Sequence, residues 1–114
     1  SGKDVNGVKI ISKVFEDMEV ETLRALSDSI RERVQSSVVC FGSDIAGKAM
    51  LLYAATNKAV EKGIDCGRLV KETVGIVGGG GGGRKDMAQA GGKDAANLEK
   101  AVDEAVKLAE KMVS

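Results

Sequence analysis

Apolar positions change their period along the chain in a way that separates its elements. Residues 5–15 read as a strand, with Val8, Ile10 and Val14 on one face and Ile11 and Phe15 on the other beside Lys9 and Lys13. Apolar groups on both faces suit a sheet covered on both sides, and Asn6-Gly7 is a turn signal at the start. Residues 19–35 switch to steps of three and four, with Leu23, Leu26, Ile30 and Val34 in one stripe, as an amphipathic helix requires. Glu19 and Glu21 lie in its first turn and Arg31 and Arg33 in its last, an order that complements the helix dipole.

Residues 37–41 and 48–55 are uninterrupted apolar runs joined by Gly42, Ser43, Asp44 and Gly47, which predicts a hairpin of central strands. The strand at 5–15, the helix and the strand at 37–41 are expected to pair in parallel through a right-handed crossover. Thr56-Asn57 precedes one helical turn at 58–62, stopped by Gly63; Asp65 caps a helix at 66–74 with Leu69, Val70, Thr73 and Val74 inward. After the glycine run, 87–90 reads as a strand. Asp94 then opens a helix at 94–113, with Leu98, Ala101, Val102, Ala105, Leu108, Ala109 and Met112 on its buried side.

The expected fold is therefore α/β. It is a single small domain with a mixed β-sheet packed with helices, in the order β-α-β-β-α-loop-β-α. Residues 5–114 form the globular domain, and residues 1–4 are expected to be a tag remnant with no fixed structure.

Composition narrows the chemistry. The 114 residues suit one domain. Formal charge is zero, from 17 basic and 17 acidic side chains, so any affinity for nucleic acid must come from local placement. Aromatics are 3% of the chain, too few for a base-stacking platform. There is no histidine, which removes His-based acid–base catalysis and His metal ligands. Cys40 and Cys66 stand far apart without a Cys or His neighbour; Cys40 reads as a packing residue, Cys66 at a helix start is packed or exposed with a lowered thiol pKa as the alternative, and a reducing, cytoplasmic compartment fits. No apolar run approaches the ~20 residues of a membrane span, and no signal peptide is visible.

Six consecutive glycines, Gly78 to Gly83, lead into Arg84, Lys85 and Asp86. Such a run is either flexible filler or a surface that lets another molecule's backbone come close. The phosphate-loop pattern GxxxxGK[ST] is absent. The cations that follow favour the second option, because Arg grips phosphate bidentately and free backbone N–H groups suit an anion. Gln89 offers an amide where the chain re-enters the sheet. Lys58 and Lys62 stand one turn apart and are candidates to flank the same groove, or are a solvated helix face. Asp86 is placed to orient Arg84 by an ion pair or to cap a turn. No paired carboxylates suggest an acid–base or metal site, so the residues point to a binding module with no catalytic or metal-ligating set.

The string GGGGGGRKDMAQAGG followed by a long Ala-rich helix resembles the C-terminal domain of alanyl-tRNA synthetases. The opening NGVKIISKVFEDMEVETLRALSDSIRER resembles the start of that domain, so the likeness runs through nearly all of the chain. Lys85 stands where the family usually has proline, adding a cation. The resemblance implies a DHH-associated fold, shared with the C-terminal half of DHH-type phosphoesterases. It implies a role in holding the outer corner of alanine-specific tRNA, without catalysis in the domain itself.

In that reading the ATP, magnesium and zinc belong to the rest of the parent enzyme, which ligates alanine and edits mischarged tRNA. The domain's partners are then the tRNA and the parent's other domains, and a homodimer is left open. The implied RNA-contacting residues are Gly79, Gly80, Gly81, Gly82, Gly83, Arg84 and Lys85, with Gln89, Lys93 and Lys58. Two alternatives stand beside this one: the substrate-binding half of a DHH phosphoesterase, and a stand-alone interaction domain that dimerises through a sheet edge.

Overall fold

A computed structural model describes residues 2–114. Six strands form one sheet in the order β1-β2-β3-β4-β6-β5, from β1 (Gly2–Val5), β2 (Val8–Glu16), β3 (Ser37–Ile45), β4 (Lys48–Ala55), β5 (Gly79–Gly83) and β6 (Met87–Gly92). The helices are α1 (Val20–Arg33), α2 (Asn57–Glu61), α3 (Cys66–Thr73) and α4 (Leu98–Val113), with short 3₁₀ turns at Val74–Val77 and Ala95–Asn97. β2 and β3 run parallel and every other neighbour pair is antiparallel, so the α/β mixed sheet stands as expected.

Beyond β3, which runs on through the expected turn residues Gly42, Ser43 and Asp44 to Ile45 and leaves the turn to Ala46 and Gly47, two strands depart from the sequence reading. Residues 2–4 are not an unstructured start: they belong to β1, which pairs with β2 from Gly2↔Ile11 to Val5↔Val8. The reason is local. Asn6 and Gly7 both take positive φ, 51° and 81°, the two-residue turn whose twist matches a hairpin, so the chain folds back where a single strand is predicted. Lys3 Nζ reaches Glu110 at 2.8 Å and the Asn6 amide donates to the Val113 carbonyl, tying the hairpin to α4. Ser1 lies outside the described residues. The second departure is the glycine run, predicted as a loop and found as the edge strand β5.

The sheet carries a helix layer on each face. α1 covers one face, where Leu23, Val39, Phe41 and Leu52 are buried together and the Phe15 and Phe41 rings meet edge-on with centroids 5.2 Å apart. α3 and α4 cover the other face over a larger core that includes Tyr53, Leu51, Leu69, Val70, Leu98 and Val102. Alternation along β4 sends Leu51 and Tyr53 to one core and Leu52 to the other, as a doubly covered strand requires. Caps set several helix starts: the Thr56 hydroxyl accepts from Ala59 N, and Asp65 Oδ1 accepts from Arg68 N. Asp94 caps the 3₁₀ turn rather than α4 itself, accepting from Ala96 N at 3.1 Å.

Candidate nucleic-acid interface

The site is the outer part of the sheet, β6 and β5. Gly78 takes a left-handed φ of 64° and ends the 3₁₀ turn, a conformation that glycine adopts without a Cβ penalty. The next five residues pair with β6 from Gly79↔Gly92 to Gly83↔Ala88. Alternate glycines then have different reasons to be glycine. A Cβ on Gly79 would stand 2.5 Å from the Gly92 Cα, and one on Gly81 would stand 2.5 Å from the Ala90 Cα. One on Gly83 would stand 2.5 Å from the Met87 carbonyl oxygen. The two strands lie too close for side chains at these three positions. A Cβ on Gly80 or Gly82 would meet nothing within 4 Å. Packing does not demand glycine there, yet each costs roughly 0.5–1 kcal/mol in a strand relative to alanine.

The open positions share a face. Gly80 pairs with Gly91 and Gly82 with Gln89, and on β4 these rows continue to Met50 and Leu52. That is the face α1 covers over Leu52. Beyond α1 the sheet surface becomes a shelf of bare backbone about 13 Å long, at ~3.3 Å per strand residue. All five residues of β5 are exposed, and β5 has a strand neighbour on one side only.

Cations stand at both ends. At one end the β5–β6 turn carries Arg84 and Lys85. This turn is tightly held: Arg84 N donates to Met87 O at 2.8 Å and Ala55 N donates to Asp86 O at 2.8 Å. The first amides of α3 join in, Cys66 N to Lys85 O and Gly67 N to Arg84 O, both at 2.9 Å. Arg84 Nε donates to Asp86 Oδ1 at 3.0 Å, the orienting pair predicted from the sequence. That bond holds the Asp86 carboxyl below the usual carboxylate range. At the other end Lys93 and Lys48 flank a groove of about 480 Å³ floored by Ile45, Ala49 and Met50 and edged by glycines.

The expected residues thus divide. Gly82, Gly83, Arg84 and Gln89 line one depression, Gly79 and Lys93 border the groove at the other end of β5, and Lys85 stands in the turn beside Arg84, so these are gathered along β5. Lys58 is not: it lines a separate groove with Asp28, Glu32 and Asp86, because α2 leaves β4 on the far side of the 84–86 turn. Lys62 is committed elsewhere, donating to the Asn6 carbonyl at 2.8 Å. Two cations escaped the sequence reading, Lys48 and Arg24. Arg24 Nη2 donates to Gln89 Oε1 at 2.7 Å. Its place directly after the buried Leu23 was the available signal, since that neighbour sits at the border of a helix's buried stripe.

Cys40 and Cys66 are both buried; burial pushes the Cys40 thiol up to about 12 and raises that of Cys66 as well. Neither is a nucleophile at neutral pH. Among the described residues no group of three or more His, Cys, Asp or Glu is placed to hold a metal ion. No helix among them is long and apolar enough to cross a membrane.

The family model of the DHHA1 domain matches residues 7–113. The chain belongs to the DHHA1 domain family. This DHHA1 domain is 43% identical over 111 residues to the alanine–tRNA ligase of Acetivibrio thermocellus, an alignment covering 97% of this chain and 13% of that one. Among solved structures it is similar to the C-Ala domain of Aquifex aeolicus alanyl-tRNA synthetase, with a TM-score of 0.85 and 29% identity. That match covers 96% of this chain and 98% of the other. It also shares its fold with part of RecJ from Thermus thermophilus, at a TM-score of 0.61 and 16% identity, over 88% of this chain and 15% of RecJ. The chain spans about an eighth of the length of the curated relative it matches.

Proposed function

We propose that this DHHA1 domain is the tRNA-binding appendage of an alanine–tRNA ligase, holding the outer corner of the folded tRNA and performing no chemistry itself. The observation that carries the reading is the pair Gly80 and Gly82. Nothing around them requires glycine, and their bareness lets a sugar-phosphate edge approach the backbone between Arg84 and Lys85 at one end and Lys93 at the other. Contacts of this kind position RNA and read its shape more than its base sequence. In this reading the domain needs no cofactor of its own. ATP, magnesium and zinc serve the ligation and editing domains of a cytoplasmic parent enzyme, its covalent partners.

With few phosphates neutralised, affinity for isolated tRNA should be weak and strongly salt-dependent. The test is binding of an alanine-specific tRNA transcript between about 50 and 200 mM salt, a range over which such slopes are read. The double substitution Arg84→Ala, Lys85→Ala is expected to lower the log–log salt slope by about 2, one for each lost phosphate contact. Equal binding by parent and double variant would place the interface elsewhere on the molecule. The phosphoesterase alternative draws on a shared fold alone; residues encoded upstream separate the two, showing either synthetase motifs or a DHH triplet. A homodimer is checked by light scattering with and without RNA.

A further inference from the structure

We infer that Arg24 and Arg84 form a two-arginine clamp for a single RNA phosphate over the Gly82–Gly83 backbone, with Gln89 as the residue that positions Arg24. This rests on the reading of the glycine shelf as an RNA contact.

Arg24 leaves α1 at the edge of its buried stripe and Arg84 begins the β5–β6 turn. Together with Gly82, Gly83, Met87 and Gln89 they line one small depression of about 150 Å³. That is below the 300–1,000 Å³ typical of small-molecule sites and suits one oxyanion. Two guanidinium groups line it and no carboxylate does. The neighbouring groove that holds Lys58 is of mixed charge, with Asp28, Glu32 and Asp86 in its wall beside Arg31.

Both arginines are oriented and incompletely used. Arg24 spends Nη2 on Gln89, and Arg84 spends Nε on Asp86. A guanidinium has five N–H donors in a fixed fork, so each retains donors for a phosphate oxygen. Both side chains belong to exposed residues, but each is held by one side-chain hydrogen bond, which lowers the ordering cost on binding. Gln89 is suited to the positioning role: its carbonyl accepts from Arg24 without adding a negative charge, whereas a glutamate there would neutralise the clamp.

The experiment uses the 114-residue chain, an alanine-specific tRNA transcript and a salt series, with thermal melting to verify folding. Arg24→Ala is expected to weaken binding about ten-fold, the size of one hydrogen bond to a charged group, and to lower the salt slope by less than 1, because Arg84 still meets the shared phosphate; removing both arginines should lower it by about 1. Because both arginines grip one phosphate, the Arg24→Ala, Arg84→Ala double variant should lose less affinity than the two single losses combined. Gln89→Leu should weaken binding by freeing Arg24, and Gln89→Glu should also flatten the salt slope. Loss of binding in Arg84→Ala and Lys93→Ala with Arg24→Ala unchanged overturns the clamp and leaves the shelf intact. Additive losses in the double variant also overturn it. If none of these variants alters RNA binding, the shelf reading itself has failed.

Discussion

Gly81 lies so close to Ala90 on the neighbouring strand that an added Cβ would stand 2.5 Å from the Ala90 Cα, while one step away Gly80 has open space. Two glycines in one run therefore serve different ends, and substitution should tell them apart. Gly81→Ala is expected to destabilise the fold by about 1–3 kcal/mol, the usual cost of overpacking. Gly80→Ala and Gly82→Ala, at positions without positive φ, should instead stabilise it by about 0.4–1 kcal/mol through the unfolded chain. On the proposed shelf they should nonetheless weaken tRNA binding. Melting curves and binding isotherms of the three variants are the measurement, and a destabilised Gly80→Ala would contradict the packing described.

The Tyr53 hydroxyl is buried and lies 2.9 Å from Thr73 Oγ1, which itself donates to the Leu69 carbonyl at 2.7 Å. With the threonine proton spent on Leu69, Tyr53 is the donor. Thr73→Val then strands a buried phenol and should cost about 1–3 kcal/mol. Tyr53→Phe removes one bond and leaves Thr73 its carbonyl partner, so about 0.5–1.5 kcal/mol is expected. Denaturant unfolding should rank Thr73→Val as the more damaging.

Burial holds the Cys40 thiol at about 12 against an ordinary 9.0, and Cys66 moves the same way. The folded state therefore favours the neutral thiol. The stabilisation is complete below the unfolded pKa and declines as pH rises from about 9 toward 12. Melting temperature should fall through that window in the parent and fall less in Cys40→Ala. At pH 8 a thiol reagent should label neither cysteine except as the chain unfolds.

Lys93 and Lys58 provide a contrast in place. Lys93 flanks the glycine-edged groove, while Lys58 shares its groove with three carboxylates. Lys93→Ala should lower the salt slope of tRNA binding by about 1. Lys58→Ala should leave it unchanged, and a Lys58 effect as large would mean that the RNA crosses the 84–86 turn.

Much of the fold was legible because burial imposes its period on the residues. Leu23, Leu26 and Ile30 announce α1, the apolar run of 48–55 is β4 to the residue, and Asp65 caps α3 as read. β1 was missed because Gly2, Lys3 and Asp4 carry no apolar alternation; what orders them is the turn at Asn6-Gly7 and the contacts to α4.

The sequence by itself determined the mixed α/β architecture, the lack of histidine chemistry and the association of bare glycines with Arg84 and Lys85, since each follows from residue type and local spacing. Only the tertiary structure decided that the glycines are a strand, because a run without side chains has no periodicity and takes its conformation from β6. It alone decided that Gly79 and Gly81 are steric while Gly80 and Gly82 are open, and that Arg24, 65 positions before Gln89, meets it. Such neighbours are made by sheet register and helix docking, which no local pattern encodes.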